Sequence, residues 1–387
     1  MKILHICTSG EYTDGHTYQE NLLTKYMAKL GHEVFLISSP KAYDGLGNSI
    51  ELEVPVDYID ENGVHVYRLP FAKPNRIGRF FRKMDGFREL LYSLKPDVVF
   101  FHNPQSSDII CAAKYIKKYS NTTLLVDDHA DYYNSAQNIL SKYVKHKIIW
   151  RFFIRRAIKY TTWFYGTAPI RVEFLKDMYG IPGEKCKLLV MGVDDDMIST
   201  VESDKESNNI RLKHNIDKST FLVLTGGKIN QYRLETIDLM EQISESEENI
   251  KLIVFGKPDK DVEERFMKAC ENDHILFVGW LDEKQIYEYM TYVDLMVFPG
   301  KHSVLWEQAV GMGIPCIFRR IPGFEHVDLG GNALLLDCKD EREFYDTIII
   351  LYRDDEMYNS LKRVAVERGI NEFSYYRIAK QCLDDIG

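Results

Sequence analysis

Leu295-Met-Val-Phe298, followed by Pro299-Gly-Lys-His-Ser-Val-Leu-Trp-Glu307-Gln-Ala-Val-Gly-Met-Gly-Ile-Pro315, is the stretch whose pattern decides the fold. An apolar strand, a turn containing glycine, a short helix with one carboxylate near its start and a Gly-Ile-Pro stop make a strand-turn-helix unit. In doubly wound α/β sheets such a unit carries a ligand site at the carboxyl end of its strand. The unpaired N–H groups of a helix start suit phosphate oxygens, and a carboxylate within a turn or two accepts hydrogen bonds from both hydroxyls of a ribose. The implied ligand is a nucleotide.

The same alternation extends outward in both directions. After the polar stretch from Asp195 to His214, apolar runs at Thr220 to Thr225, Lys251 to Phe255, His274 to Val278, Pro315 to Phe318 and Ala333 to Leu336 read as strands separated by helical patterns. Before it, Ile3 to Cys7, Glu33 to Ser38, Val98 to His102 and Leu124 to Val126 do the same. Strands alternating with amphipathic helices form right-handed βαβ units on a parallel sheet. A chain of 387 residues exceeds the size at which one core keeps growing. The expected class is therefore α/β, two Rossmann-like doubly wound parallel-sheet domains facing across a cleft, with boundaries at 1–195 and 196–370.

Composition narrows the function classes. Hydrophobic content of 45%, charged content of 28% and an aromatic share of 12% are those of a folded globular protein, which excludes disorder. The net charge of -9 argues against general affinity for nucleic acid. The seven cysteines are scattered, with no C-x-x-C pair and no alternation with histidine at ligand spacing, so they read as buried thiols in a reducing compartment. Met1-Lys-Ile-Leu-His-Ile-Cys7 does not resemble a signal peptide. No apolar stretch approaches the ~20 residues a membrane span needs. A cytoplasmic protein is the expectation.

Several constellations carry chemistry. The first turn, Thr8-Ser-Gly10-Glu-Tyr-Thr-Asp-Gly15-His-Thr17, lacks the G-x-G-x-x-G spacing of a dinucleotide fingerprint, but its glycines let backbone N–H groups approach a ligand. In the second half, Val223-Leu-Thr-Gly226-Gly227-Lys228-Ile-Asn-Gln-Tyr-Arg233-Leu reads as strand, loop and helix, with two cations positioned to converge on a diphosphate. His129 follows the strand Leu124 to Val126 within Asp127-Asp-His-Ala-Asp131, and His102 ends another strand in Phe101-His102-Asn-Pro104. The aspartate cluster by itself would suggest metal ligation.

In this order the segments resemble the GT-B-fold glycosyltransferases of the retaining family 4 type, also described as glycosyl transferases group 1, and the similarity covers nearly the whole chain. Gly31-His-Glu-Val34 resembles that family's entry to its second strand, and the run from Val172 through Pro182 to Asp194 resembles its interdomain signature. Gly227 with Lys228 and Arg233 resembles its Gly-Arg and Lys pair at the same spacing, each cation exchanged for the other type. Phe277-Val-Gly279-Trp-Leu-Asp-Glu283 resembles its base-binding loop, and Glu307 to Pro315 its Glu-Ala-Met-Ala-x-Gly-x-Pro signature.

The resemblance implies sugar transfer from a nucleotide diphosphate donor, UDP-linked, to a hydroxyl of a glycan or lipid-linked glycan, with retention. It implies that Lys228 and Arg233 neutralise the departing diphosphate, which lowers the barrier without proton transfer, so neither metal nor other cofactor is expected. Glu307 would accept from the ribose, the backbone around Trp280 and Leu281 would read the base, and His129 would face the donor sugar at the cleft edge. A C-terminal helix within 371–387 would cross back to the N-terminal domain.

One departure stands out. The family carries two glutamates with seven residues between them, and the position eight before Glu307 is Pro299. The turn is also shorter than the family's usual form. Lys301, His302 and Ser303 occupy the shortened turn, where a histidine or backbone N–H groups would take over that contact, and His302, Ser303 and Val304 are expected among the donor-binding residues. A same-fold nucleotide-sugar epimerase and a catalytically silent nucleotide-binding scaffold are the competing readings.

The acidic chain also contains two basic, aromatic segments. Residues 141–160 hold seven Lys or Arg and no acidic residue, and residues 73–83 add five more cations. Such segments attract anionic lipid headgroups by roughly 1 kcal/mol per cation. Peripheral contact with the inner face of the plasma membrane would suit a lipid-linked acceptor in bacterial surface polysaccharide synthesis. The alternative is that Ile148, Trp150, Phe152, Phe153 and Ile154 partly face the core, with the cations as a solvated rim.

Overall fold

In a computed structural model that describes residues 1–44, 48–231 and 234–387, the chain divides into two units. The first comprises Met1–Val190 with Ile378–Gly387, and the second Met191–Arg377.

The first unit is built on an eight-stranded sheet of order β10-β9-β8-β7-β1-β2-β6-β5. Its strands are β1 (Lys2–Cys7), β2 (Glu33–Ser38), β5 (Val56–Ile59), β6 (His65–Arg68), β7 (Val98–His102), β8 (Thr123–Asp128), β9 (Trp163–Gly166) and β10 (Cys186–Leu188), while β3 (Lys41–Tyr43) and β4 (Ser49–Glu51) pair separately. All neighbours run parallel except β5 and β6. A parallel sheet is covered on both faces, which is why its strands are continuous apolar runs. Leu4, Ile6, Val99, Phe101, Leu124 and Val126 are completely buried. Side chains of this size each contribute about 1.5–3 kcal/mol on full burial.

The second unit holds a fully parallel six-stranded sheet of order β13-β12-β11-β14-β15-β16. These are β11 (Phe221–Ile229), β12 (Ile250–Pro258), β13 (Ile275–Phe277), β14 (Leu295–Phe298), β15 (Cys316–Arg319) and β16 (Ala333–Leu336). In chain order this is the doubly wound 3-2-1-4-5-6 arrangement, with its switch point between β11 and β14. The first sheet reverses in the same way between β1 and β7. The segments singled out by sequence follow these central strands: the Gly15 turn after β1, His102 at the end of β7, the Pro299 turn after β14.

One expectation changes in detail. The loop expected at Gly226 to Lys228 is strand: β11 and β12 stay paired through Gly227 with Gly256, Lys228 with Lys257 and Ile229 with Pro258. Glycine at 256 permits this, since a Cβ there would lie 2.1 Å from the Gly227 carbonyl oxygen and the backbone has φ of +124°. The polar stretch 195–214 is largely helical, with Asp194 and Asn209 capping helices Asp195–Ser203 and Ile210–Lys213 through their side chains.

The chain ends in helix Tyr375–Asp384, whose last part belongs to the first unit. There the Trp163 indole donates to the Asp385 carbonyl at 3.0 Å and the Tyr165 hydroxyl to its carboxylate at 2.7 Å. The two basic segments adjoin within this unit. Phe80 stacks on Trp150 at 6.3 Å between centroids, and the Arg82 guanidinium lies 5.7 Å from the Trp150 ring. Trp150 and Ile154 are core residues and Phe153 packs against the core, while Ile148 and Phe152 are 63% and 52% exposed. The helical segment beginning at Leu140 thus has both a core face and an exposed apolar face.

Candidate active site

In the first unit, strand pairing brings three titratable groups to the switch point. β1 sets His5 opposite Phe100, and β7 sets His102 opposite Asp127 of β8. His5, Phe100 and His102 therefore share one sheet face, their rings stacked 4.7 to 5.2 Å apart. His102 Nδ1 lies 2.7 Å from Asp127 Oδ2, His5 Nδ1 2.9 Å from His102 Nε2, and His5 Nε2 3.3 Å from Met27 Sδ. His5, His102 and Asp127 are wholly buried.

The protons follow from the partners. A carboxylate only accepts, so His102 Nδ1 carries a proton. A thioether only accepts, so His5 carries its proton on Nε2 and, while neutral, offers Nδ1 as a lone pair. The proton between the two rings then belongs to His102 Nε2, and His102 is an imidazolium paired with Asp127. Burial alone would lower His102, but the Asp127 carboxylate holds it above the ordinary histidine value. Burial and then the His102 charge hold His5 well below it. Burial would raise Asp127, yet His102 and His129 hold it well below the carboxylate range.

This pair underlies His129. Asn103, in the left-handed region at φ +60°, donates its backbone N–H to Asp127 Oδ1 at 3.1 Å and accepts the His129 backbone N–H on Oδ1 at 3.1 Å. The His129 ring turns Nε2 inward, 3.8 Å from Asp127 Oδ2 and without a hydrogen-bond partner among the described residues. At that distance Asp127 orients the ring electrostatically rather than through a formed hydrogen bond. Asp128 accepts from Gln105 and from the Ala130 N–H, and burial raises its carboxyl to about 7 against those two hydrogen bonds. Asp131 pairs with Arg171 at 3.1 Å. Among the described residues no group of His, Cys, Asp and Glu is arranged to hold a metal ion.

In the second unit, Glu307 lies on helix Leu305–Gly311 after the Pro299 turn. It is completely buried, and its Oε1 accepts from His302 Nε2 at 2.8 Å and His326 Nε2 at 3.0 Å. Both imidazoles must present Nε2–H to an acceptor-only oxygen. Burial opposes ionisation, but His302 and then His326 hold the carboxyl at about 2, so Glu307 is a carboxylate. Its Oε2 is shielded and has no hydrogen-bond partner among the described residues. The His302 ring stacks 4.1 Å from Phe324 and meets Trp306 edge-on, which fixes the turn.

The remaining expected positions are distributed as follows. Ser303 and Val304 begin the Glu307 helix, their carbonyls accepting from Trp306 and Gln308. Lys228 is exposed near the end of β11. Trp280 and Leu281 follow β13, the indole 61% exposed and Leu281 buried. Gly15 lies in an exposed turn with open space around its α-carbon. Arg233 falls outside the described residues. His129 belongs to the first unit and Lys228, Trp280 and Glu307 to the second. His5 and His326 were missed by sequence reasoning: His5 reads as part of an apolar strand, and His326 lies 19 residues beyond Glu307 on a different loop.

Comparisons agree with this architecture. Residues 204–368 match the family described as Glycosyl transferases group 1, and residues 21–197 match Glycosyltransferase Family 4. Mannosylfructose-phosphate synthase of Agrobacterium fabrum is 22% identical over 56% of this chain, and the chain spans about half of that relative's length, 51%. Sucrose-phosphate synthase from Thermosynechococcus elongatus superposes with a TM-score of 0.69 at 14% identity, covering 99% of this chain and 98% of that one. HepE from Anabaena, solved in complex with UDP, superposes at 0.68 and 13% identity, covering 99% of each chain. No helix among the described residues is long and apolar enough to cross a membrane. With both halves matched and the doubly wound sheets in place, the chain belongs to the GT-B glycosyltransferases of the family 4 type.

Proposed function

We propose that the protein transfers a sugar from a UDP-linked donor to a hydroxyl of a glycan or lipid-linked glycan, with retention and without a metal. The observation that carries this reading is Glu307, a buried carboxylate held ionised by two imidazoles, with one oxygen free of partners among the described residues. It follows the strand beside β11 at the switch point. A ribose hydroxyl supplies the donor that Oε2 lacks. The solved complex of HepE with UDP supports the choice of base.

In this reading Lys228 and Arg233 face the diphosphate. As the bond from the sugar C1 to the phosphate oxygen breaks, its electron pair passes to the diphosphate, and fixed cations stabilise that charge without reorganising. Trp280 and Leu281 border the base. The backbone of His302, Ser303 and Val304, with the Gly15 turn, lines the donor, and His129 faces the sugar with its ring oriented by Asp127. The basic segments 73–83 and 141–160 dock on anionic lipid, which would bring the enzyme to a lipid-linked acceptor in bacterial surface polysaccharide synthesis.

The test is nucleotide binding followed by turnover. A ligand at 100 times its dissociation constant adds about 2.7 kcal/mol to stability, an easily read thermal shift. UDP should raise the melting temperature, Glu307→Ala should weaken UDP by tenfold or more while leaving the unliganded transition in place, and a chelator should leave turnover unchanged. No shift with UDP, GDP or their sugars would remove the proposal.

A further inference from the structure

A cavity of about 260 Å³ in the second unit opens at the carboxyl ends of β14, β15 and β16. Helix Glu235–Ser244 lines it with Glu235, Leu239 and Gln242, joined by Pro299, Arg319 and Phe344 among others. The polar lining is left incomplete. Glu235 Oε1 accepts from Arg319 Nη1 at 2.6 Å, whereas Oε2 is shielded and has no hydrogen-bond partner among the described residues. Gln242 donates through Nε2 to the Glu341 carbonyl at 2.9 Å, and its Oε1 is likewise shielded and unpaired among the described residues.

Shielded acceptors left unpaired are costly, so this cavity calls for hydrogen-bond donors. Of the two cations in the lining, Arg319 engages Glu235 and Lys339 lies 3.5 Å from Asp337, while Asp238, Asp340 and Glu341 add carboxylates, a set that disfavours an anion. Leu239, Pro299 and Phe344 add apolar surface. Hydroxyl donors combined with C–H faces are the chemistry of a pyranose, and small-molecule sites pair apolar walls with a few placed polar groups.

The cavity also adjoins the donor turn. Pro299 begins the turn that leads to His302 and Glu307, and a side chain at Gly300 would start 4.0 Å from Glu235 Oε2. The turn, Pro299-Gly-Lys-His-Ser-Val304, has no carboxylate of its own. We infer that this cavity is a pyranose subsite in which Glu235, positioned by Arg319, accepts hydrogen bonds from the hydroxyls of the donor's sugar and thereby selects the sugar that is transferred. The assignment rests on the functional reading above, because it takes the ribose to sit at Glu307.

Calorimetric affinities test it, with UDP and GDP and their glucose, galactose, mannose and N-acetylglucosamine conjugates, on wild type, Glu235→Gln, Arg319→Gln and Gly300→Val. Wild type should bind at least one conjugate more tightly than its nucleotide. Glu235→Gln should lose roughly tenfold of that margin, the scale of one charge-assisted hydrogen bond, with free-nucleotide affinity unchanged. Arg319→Gln should lose part of it, and Gly300→Val should lose it by filling the space. Three results overturn the subsite: a margin unchanged in Glu235→Gln, nucleotide and conjugate weakened equally there, or no conjugate preferred by wild type. Failure of wild type to bind any nucleotide overturns the functional reading, and the subsite with it.

Discussion

Replacing His102 by leucine would leave Asp127 in the core of the first unit without its counter-ion. The carboxylate would keep the Asn103 N–H at 3.1 Å and the Gln19 amide at 3.3 Å, two neutral donors. Breaking a buried pair by removing one partner costs about 3–5 kcal/mol. For a unit of about 200 residues, at 2–4 °C per kcal/mol, that lowers its transition by roughly 6–20 °C. The double variant His102→Leu with Asp127→Leu removes both charges and should recover most of the loss.

The pH dependence separates this account from simple loss of packing. Native His5 and His102 together hold one proton, whereas the unfolded chain holds two below pH ~6.5 and none well above it. Native wild type should therefore gain stability as pH rises toward about 6.5 and lose it above, by up to about 1.4 kcal/mol per unit, until His102 deprotonates at its raised value. The Asp127 contribution is present above the ordinary carboxylate range and is lost as pH falls through its depressed value. His102→Leu retains only His5, so its alkaline decline should vanish and the gap to wild type should narrow from pH 6.5 to 9. Urea titrations at four or five pH values measure this. A gap independent of pH would refute the imidazolium assignment.

Two further outcomes follow from particular contacts. Gly256→Val places a branched side chain against the Gly227 carbonyl at a backbone angle that L-residues rarely adopt. It should cost the second unit about 2–5 kcal/mol, combining overpacking and backbone strain, and weaken UDP by displacing Lys228; denaturation and calorimetry read both effects. Ile148→Glu with Phe152→Glu alters only exposed positions, so stability should stay within about 0.5 kcal/mol per substitution while cosedimentation with anionic vesicles at low salt falls sharply. Equal binding by wild type and variant would discard this face as the docking surface.

Much of the architecture was legible because parallel sheets write themselves locally. The apolar runs at Leu4, Val99, Leu124 and Leu295 are strands because both sheet faces are covered, and the intervening helical patterns require parallel crossovers. Glu307 was legible for the same reason, since its turn, helix and stop are contiguous in the chain. The extension of β11 past Gly226 was not, because glycines ordinarily mark a loop, whereas here Gly226 and Gly256 on the neighbouring strand make the close pairing possible. The segment around residues 141–160 was half legible: its charge was evident, but its division between the buried Trp150 and the exposed Phe152 depends on how the chain lies against the Phe80 segment.

Sequence by itself determined the two doubly wound halves, the positions of Glu307 and His129 after strands, and the absence of a carboxylate on the Pro299 turn. Tertiary structure alone decided the partners. His5 meets His102 because β1 and β7 are neighbours although 97 residues separate the two rings, His326 reaches Glu307 from another loop, and Arg319 at the end of β15 meets Glu235 at the start of a helix. The physical reason is range: periodicity and turn chemistry act over a few residues, whereas the protonation and pairing of a buried group are set by whatever the fold brings to within about 3–4 Å of it.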